Sequence, residues 1–230
     1  MKLAITILTG NRANLLKRTL SSFYKKCEAL ANEAHVTMLV NGADAATLRV
    51  TKKTPWIDHC HVRENQEGEI ATIGVAISEL MSMVPEDATH VMHLEDDWEF
   101  IGPGSGFLGQ AEWLLRKHPE VGQVRLRKHA PPSVPSQRTM RNHMVTGRRI
   151  LWKDKRASGG FDYRLGDAHL TFNPTLMRRA ILADLFPCEG ERDAARKFLS
   201  RRHKVVQLMP GVFRHIGRDD SLRERLGRQT

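Results

Sequence analysis

His90-Val91-Met92-His93-Leu94 has the length of a strand and runs without a turn into Glu95-Asp96-Asp97-Trp98-Glu99. The first five residues read as a buried strand, and the acidic cluster stands at its carboxyl end. Three successive carboxylates repel one another, at a cost that grows as water is excluded. A divalent cation is the usual relief, because hard cations take carboxylate oxygens. A solvated acidic turn is the plainer account of such a cluster, but its place directly behind a buried strand favours metal or nucleotide binding.

The flanking sequence supplies the rest of the sheet. Leu3 to Leu8 reads as a buried strand, and Leu16, Leu20 and Phe23 mark one face of a helix that Asn11 or Asn14 would cap. His35 to Val40 is a second strand stopped by Asn41-Gly42, a short helix follows Asp44, and His59 to Arg63 is a third strand. Ile70, Ile73, Ile77, Leu80 and Val84 give an amphipathic helix ended by Pro85. This alternation predicts βαβ units: an α/β fold with a mostly parallel central sheet and helices on both faces. Ligands bind at the carboxyl ends of such strands. The loops at 9–12, 41–44 and 63–68 are therefore expected beside the acidic cluster. Downstream, Phe107 to Lys117 reads as a helix and Gln123 to Leu126 as a strand. A basic stretch without sustained period follows, read as a loop or subdomain insertion over about 127–165. Regular structure resumes at Leu170 to Asn173. A helix is expected after Pro174, another from Arg192 to Arg202, and a late strand from Lys204 to Leu208. The whole chain, 1–230, is read as a single domain.

Composition narrows the function. With 40% hydrophobic and 27% charged residues, disordered and membrane classes are both disfavoured. No apolar run approaches a membrane span and no leader pattern opens the chain, so a cytoplasmic protein is expected. The three cysteines (Cys27, Cys60, Cys188) form no CxxC pair, which disfavours disulfide and zinc frameworks. Charge is unevenly placed. Residues 1–124 hold 12 Lys/Arg against 16 Asp/Glu, residues 125–230 hold 24 against 10, and 125–164 alone hold 11 against 2. In that stretch Arg125, Arg127, Arg148, Arg149 and Arg156 surround Trp152 and precede Phe161 and Tyr163. Cations interleaved with aromatics suit a nucleic-acid surface; a solvated basic face or a pyrophosphate clamp is the alternative.

Together these segments resemble the GT-A fold (Rossmann-like) glycosyltransferases, most closely the family 2 type. Ile5-Thr6-Ile7-Leu8-Thr9-Gly10-Asn11-Arg12 matches the opening strand and loop of that family. Asn41-Gly42-Ala43-Asp44 matches its acidic, Gly-containing loop, and Glu64-Asn65-Gln66-Glu67-Gly68 its Asn-x-Gly segment. Glu95-Asp96-Asp97 stands at its DxD motif. Gly190-Glu191-Arg192-Asp193, Val205-Val206, Pro210 and His215 follow its closing order of acidic pair, helix, strand and histidine. Two departures stand out: Thr9-Gly10-Asn11 replaces the commoner Pro-Thr-Tyr-Asn, and Asn41 replaces an Asp.

The resemblance implies that residues 1–124 bind a nucleotide-sugar, a UDP-sugar by expectation, through Thr9, Gly10, Asn11, Arg12, Asn41, Asn65, Glu95 and Asp96. It implies that Asp97 and His215 hold a divalent metal, Mn²⁺ or Mg²⁺, and that Glu191 or Asp193 is the general base. Residues 125–230 would bind the acceptor. With Arg148, Arg149, Trp152 and Arg156, the acceptor expected from the charge is DNA, for instance a hydroxymethylated base of the kind bacteriophages make. A saccharide or lipid-linked glycan is the alternative acceptor. A metal-dependent nuclease or nucleotidyltransferase would need a second carboxylate pair at a strand end, and the sequence offers none. A DNA-binding module leaves Glu95-Asp96-Asp97 unexplained.

Overall fold

The computed structural model describes residues 1–42, 44–63, 73–128, 150 and 152–217. Four strands, β1 (Leu3–Thr9), β2 (His35–Asn41), β3 (His59–Arg63) and β4 (His90–Glu95), lie parallel in the order β3-β2-β1-β4. They are joined through α1 (Ala13–Glu33), α2 (Ala45–Lys52) and α3 (Ile73–Ser82). β5 (Trp98–Phe100), α4 (Gly106–Lys117) and β6 (Val121–Arg125) follow, then β7 (Trp152–Arg156), β8 (Asp162–Gly166) and β9 (Thr175–Arg178). A 3-10 turn at Arg179–Ile181 leads to α5 (Leu182–Leu185), α6 (Glu191–Ser200), β10 (Lys204–Met209) and β11 (Phe213–His215). Among the described residues the main sheet has nine strands in the order β3-β2-β1-β4-β9-β6-β10-β8-β7, with β9 and β8 running against the others. β5 and β11 pair antiparallel as a separate ribbon.

Alternation along each strand sends apolar side chains to both faces, as a covered sheet requires. Ile5, Ile7, Met38, Leu94, Val124 and Leu208 pack with α1 and α4. Ala4, Leu8, Leu39, Val91, Met177 and Val205 pack with α3, α5 and α6. One level of this second face is polar throughout. His59, Thr37, Thr6, His93, Thr175, Arg125, Gln207, Arg164 and Asp154 are register partners on successive strands from one edge of the sheet to the other. The six central members, Thr37 through Gln207, are buried. His93 Nδ1 meets Thr6 Oγ1 at 3.0 Å. Burial holds the imidazole neutral, with a pKa pushed down to about 3.

Several expectations are corrected. Neither Asn11 nor Asn14 caps α1; Arg12 occupies the cap position and no side chain caps it there. Asn11 is used elsewhere, its Oδ1 accepting from the Asp44 amide at 3.3 Å. The helix expected after Pro174 starts only at the 3-10 turn at Arg179, and the segment directly behind the proline is a strand. It is β9, inserted antiparallel between β4 and β6, because Thr175 and Met177 face one side while Leu176 faces the other. That period of two outweighs the helix-starting habit of proline. The basic insertion contains regular structure, the β7–β8 hairpin, which continues the sheet to its edge. In the Ile70 to Val84 stripe, Ile77, Leu80 and Val84 are buried but Ile73 is exposed, and Ile70 lies outside the described residues. None of the described helices is long and apolar enough to cross a membrane.

Candidate active site

β1 and β4 are neighbours, so their carboxyl ends bring the loop 9–12 against Glu95-Asp96-Asp97. The Asp96 amide donates to Leu8 O at 3.1 Å, and Thr19 Oγ1 of α1 donates to Asp96 O at 2.7 Å while accepting from the Trp98 amide at 3.2 Å. The acidic turn is thereby fixed to both strand and helix. The Asp96 side chain is fully buried and accepts from Thr9 Oγ1 (2.8 Å), Gly10 N (3.1 Å), Arg12 Nε (3.2 Å) and Arg12 Nη2. Thr9, Gly10 and Arg12, expected to hold the nucleotide, are all bonded to this carboxylate.

Arg12 also reaches Asp97, with Nη1 donating to Oδ2 at 2.9 Å. Burial by itself would depress the arginine, but the Asp96 and Asp97 charges outweigh it and raise its pKa. Pairing of β11 with β5 sets His215 opposite Trp98, and His215 Nε2 comes to 3.4 Å from the same Asp97 Oδ2. The Ile216 amide donates to Asp97 O at 2.8 Å. Residue 217 must be glycine for the chain to pass so close, since a Cβ there would lie 2.6 Å from Asp97 Oδ2. Burial works against ionisation of Asp97, yet the His215 hydrogen bond and the Arg12 charge hold its pKa below the usual carboxylate value. Its second oxygen, Oδ1, is buried with no hydrogen-bond partner.

Glu95 behaves differently. Burial first, then the charges of Asp97, Glu191 and Asp96, push its pKa up to about 8, against a hydrogen bond from Trp98 Nε1 at 3.3 Å. Phe172, whose ring meets His93 of β4 edge-on at 6.5 Å and whose amide bonds Glu191, ties the start of α6 to that strand. Gly74 and Ser78 of α3 hold it there. A Cβ at Gly74 would overlap the Glu189 carbonyl at 2.1 Å, and the Cys188 amide donates to Ser78 Oγ at 2.8 Å. Glu191 Oε1 accepts from the Phe172 amide at 3.3 Å. Asp193 is turned to other work: it accepts from the Glu189 amide at 3.3 Å and pairs with Lys197 at 3.1 Å, contacts that hold its pKa low.

Asn41 is buried at the end of β2, and Gly42, at φ +102°, packs against the Asn11 side chain. Asn65, Arg148 and Arg149 lie outside the described residues. Trp152 is partly buried against the α3/α6 core, with the Arg125 guanidinium 5.8 Å from its ring centroid, so it is not an open stacking platform. Arg156 is exposed on the hairpin, 4.0 Å from Asp162. Arg125 is buried and donates to His169 O, Arg127 donates to Asn173 Oδ1, and Arg164 pairs with Asp154 at 2.6 Å.

The residues fit a divalent cation. Among the described residues no three His, Cys, Asp or Glu side chains stand together as a closed metal cage. Small hard cations, however, are commonly held by one or two carboxylates and completed by substrate phosphates. Asp97, with its unpartnered buried Oδ1, and the adjacent His215 are such a partial set.

Solved structures share this architecture. TarS residues 1–349 from S. aureus superpose with a TM-score of 0.61 at 14% identity, over 96% of this chain and 62% of that one. The mannosyltransferase PcManGT from Pyrobaculum calidifontis, in complex with GDP-Man and Mn²⁺, gives 0.64 at 13% identity over 99% and 60%. GalNAc-T7 with UDP, GalNAc and Mn²⁺ gives 0.59 at 10% identity over 94% and 44%. The fold is GT-A. This GT-A chain spans about 60% of the length of the first two structures. No sequence-family profile and no curated protein sequence matches it.

Two features of this site are not legible in the sequence. The β5–β11 ribbon joins residues more than a hundred positions apart, and its strands are too short to show a period. The partners of Arg12 were missed too, although the chemistry offered a signal: three adjacent carboxylates call for a nearby cation whenever water is scarce.

Proposed function

We propose that this chain is a metal-dependent glycosyltransferase that moves a sugar from a nucleotide-sugar, a UDP-sugar, to an acceptor hydroxyl. The observation that carries it is the unpartnered, buried Asp97 Oδ1 beside His215 at the carboxyl edge of a GT-A sheet. The structural neighbours support it, having been solved with GDP-Man and Mn²⁺, with UDP-GlcNAc, and with UDP, GalNAc and Mn²⁺. Asp97 and His215 would hold Mn²⁺ or Mg²⁺, which as a Lewis acid supplies neutralisation of the leaving diphosphate. Asn41, at the end of β2, and Asn11, in the loop after β1, would meet the nucleoside. Glu191 is the residue we assign as general base: it takes the proton of the attacking hydroxyl, whereas Asp193 is bound to Lys197. Thermal stabilisation by UDP-, GDP- and dTDP-sugars, each with and without Mn²⁺, tests the donor. A rise in melting temperature with UDP-sugar that requires Mn²⁺ is expected; no rise with any donor would remove the reading.

The acceptor we propose is DNA bearing a modified base, which accounts for the 11 basic against 2 acidic residues at 125–164. Gel-shift titrations at two salt concentrations test it. Affinity should fall steeply with salt, and reversal of Arg148, Arg149 and Arg156 to Glu should flatten that dependence without changing donor binding. A saccharide or lipid-linked glycan is the second reading. It is favoured by Arg125, Arg127 and Arg164 being engaged with protein groups, and failure of the wild type to bind DNA at low salt selects it.

A further inference from the structure

We propose that Arg12 is an internal cation that competes with the divalent ion for Asp97, so that metal and donor bind as a coupled pair. The proposal rests on the metal-dependent reading above and deepens it. The bonds of Arg12 are unequal. Nε, at 3.2 Å, and Nη2 both fall on Asp96, a forked contact of the kind guanidinium and carboxylate geometries favour. Nη1 goes alone to Asp97 Oδ2 at 2.9 Å. The arginine side chain is only 16% exposed and the Asp96 side chain is fully buried, so water dilutes these charges little.

A cation entering at Asp97 Oδ1 therefore meets a fixed positive charge across a single carboxyl group. Metal arriving alone is opposed by the guanidinium. Metal arriving with a diphosphate brings anionic oxygens that offset both positive charges. Because Arg12 is anchored by its fork on Asp96, the lone contact to Asp97 is the one that yields. Metal and donor then raise one another's affinity by the same factor, as linkage requires. Arg12 is in this sense a positioning residue that acts through Asp97, a different role from contact with base and ribose.

The test is Mn²⁺ binding by calorimetry to the wild type, Arg12→Gln and Arg12→Lys, each without and with UDP. Arg12→Gln should bind Mn²⁺ alone about tenfold or more tighter than the wild type, and the gain from UDP should shrink to match. Arg12→Lys, which keeps the charge and loses the fork, should stay near the wild-type affinity for Mn²⁺ alone. Removing the charge that faces buried Asp96 endangers folding, so the wild type supplies a second measurement. Its Arg12 guanidinium ¹⁵N resonances should shift when Mg²⁺ and UDP are added together, and far less with Mg²⁺ alone. Unaltered or weaker Mn²⁺ binding by folded Arg12→Gln overturns the competition, as do guanidinium resonances that stay fixed under Mg²⁺ and UDP. In both cases a wild type that binds Mn²⁺ in the presence of UDP leaves the metal-dependent reading standing. A wild type that binds no Mn²⁺ even with UDP removes both.

Discussion

Adjacent carboxylates at this site differ by what each touches. Asp96 has four donors and is a structural anchor; Asp97 has one oxygen spoken for and one left over. Asp97→Asn should therefore abolish Mn²⁺-dependent stabilisation by UDP-sugar while far-ultraviolet circular dichroism still reports the native fold. Mn²⁺-dependent stabilisation equal to wild type in that variant would take Asp97 out of the proposed metal site. The acidic pair at α6 divides in the same way. Glu191→Gln should lower kcat by roughly 10²-fold or more with donor affinity unchanged. Asp193→Asn, which removes the charge paired with Lys197 and keeps an oxygen to accept from the Glu189 amide, should leave kcat within a few-fold of wild type. Comparable losses in both variants would place the base elsewhere.

At the scale of elements, what could be read from sequence was what local pattern encodes. The run from His90 to Leu94 and the helix stripe Leu16, Leu20, Phe23 each bury a face that their own spacing announces, and they form as read. β9 is not legible locally because Pro174 signals a helix start, while the pairing of Thr175 to Arg178 with β4 and β6 depends on strands fifty or more residues away. β11 is the sharper case. Three residues carry no period, yet their pairing with β5 puts His215 on Asp97. The acidic cluster was visible as a run of letters; the arginine that balances it was not, because its partners lie more than eighty positions away. The same ribbon yields a test. Gly217→Ala should force β11 away from Asp97, because its Cβ would intrude on the carboxylate. Mn²⁺-supported UDP-sugar binding should weaken by about tenfold or more with little change in melting temperature, and unchanged binding would show that the exit of β11 does not shape the proposed metal site.

For the molecule as a whole, His93 ties stability to pH. Its pKa is about 3 when folded and near the free imidazole value of ~6.5 when unfolded. Between those values the unfolded chain binds the extra proton, so stability is complete above about 6.5 and is lost as pH falls toward 3. The slope from this one group approaches about 1.4 kcal/mol per pH unit within the window. Denaturant unfolding of wild type and His93→Gln between pH 7 and pH 4 should show a shallower decline for the variant. Parallel curves would mean that His93 is not the group responsible.

His93 also belongs to the polar level that crosses the nine described strands of the main sheet. A strand that pairs one residue out of step turns every side chain to the opposite face. For β1, β4, β9 or β10 such a slip would press Thr6, His93, Thr175 or Gln207 against the apolar side chains beneath α1 and α4, and would separate Thr6 from His93. Mispaired intermediates are thereby penalised strand by strand, and the penalty is largest at the centre of the sheet, where burial is complete. The aligned threonines, histidine and glutamine thus act as an alignment mark, trading some hydrophobic stabilisation for fidelity of strand pairing during folding.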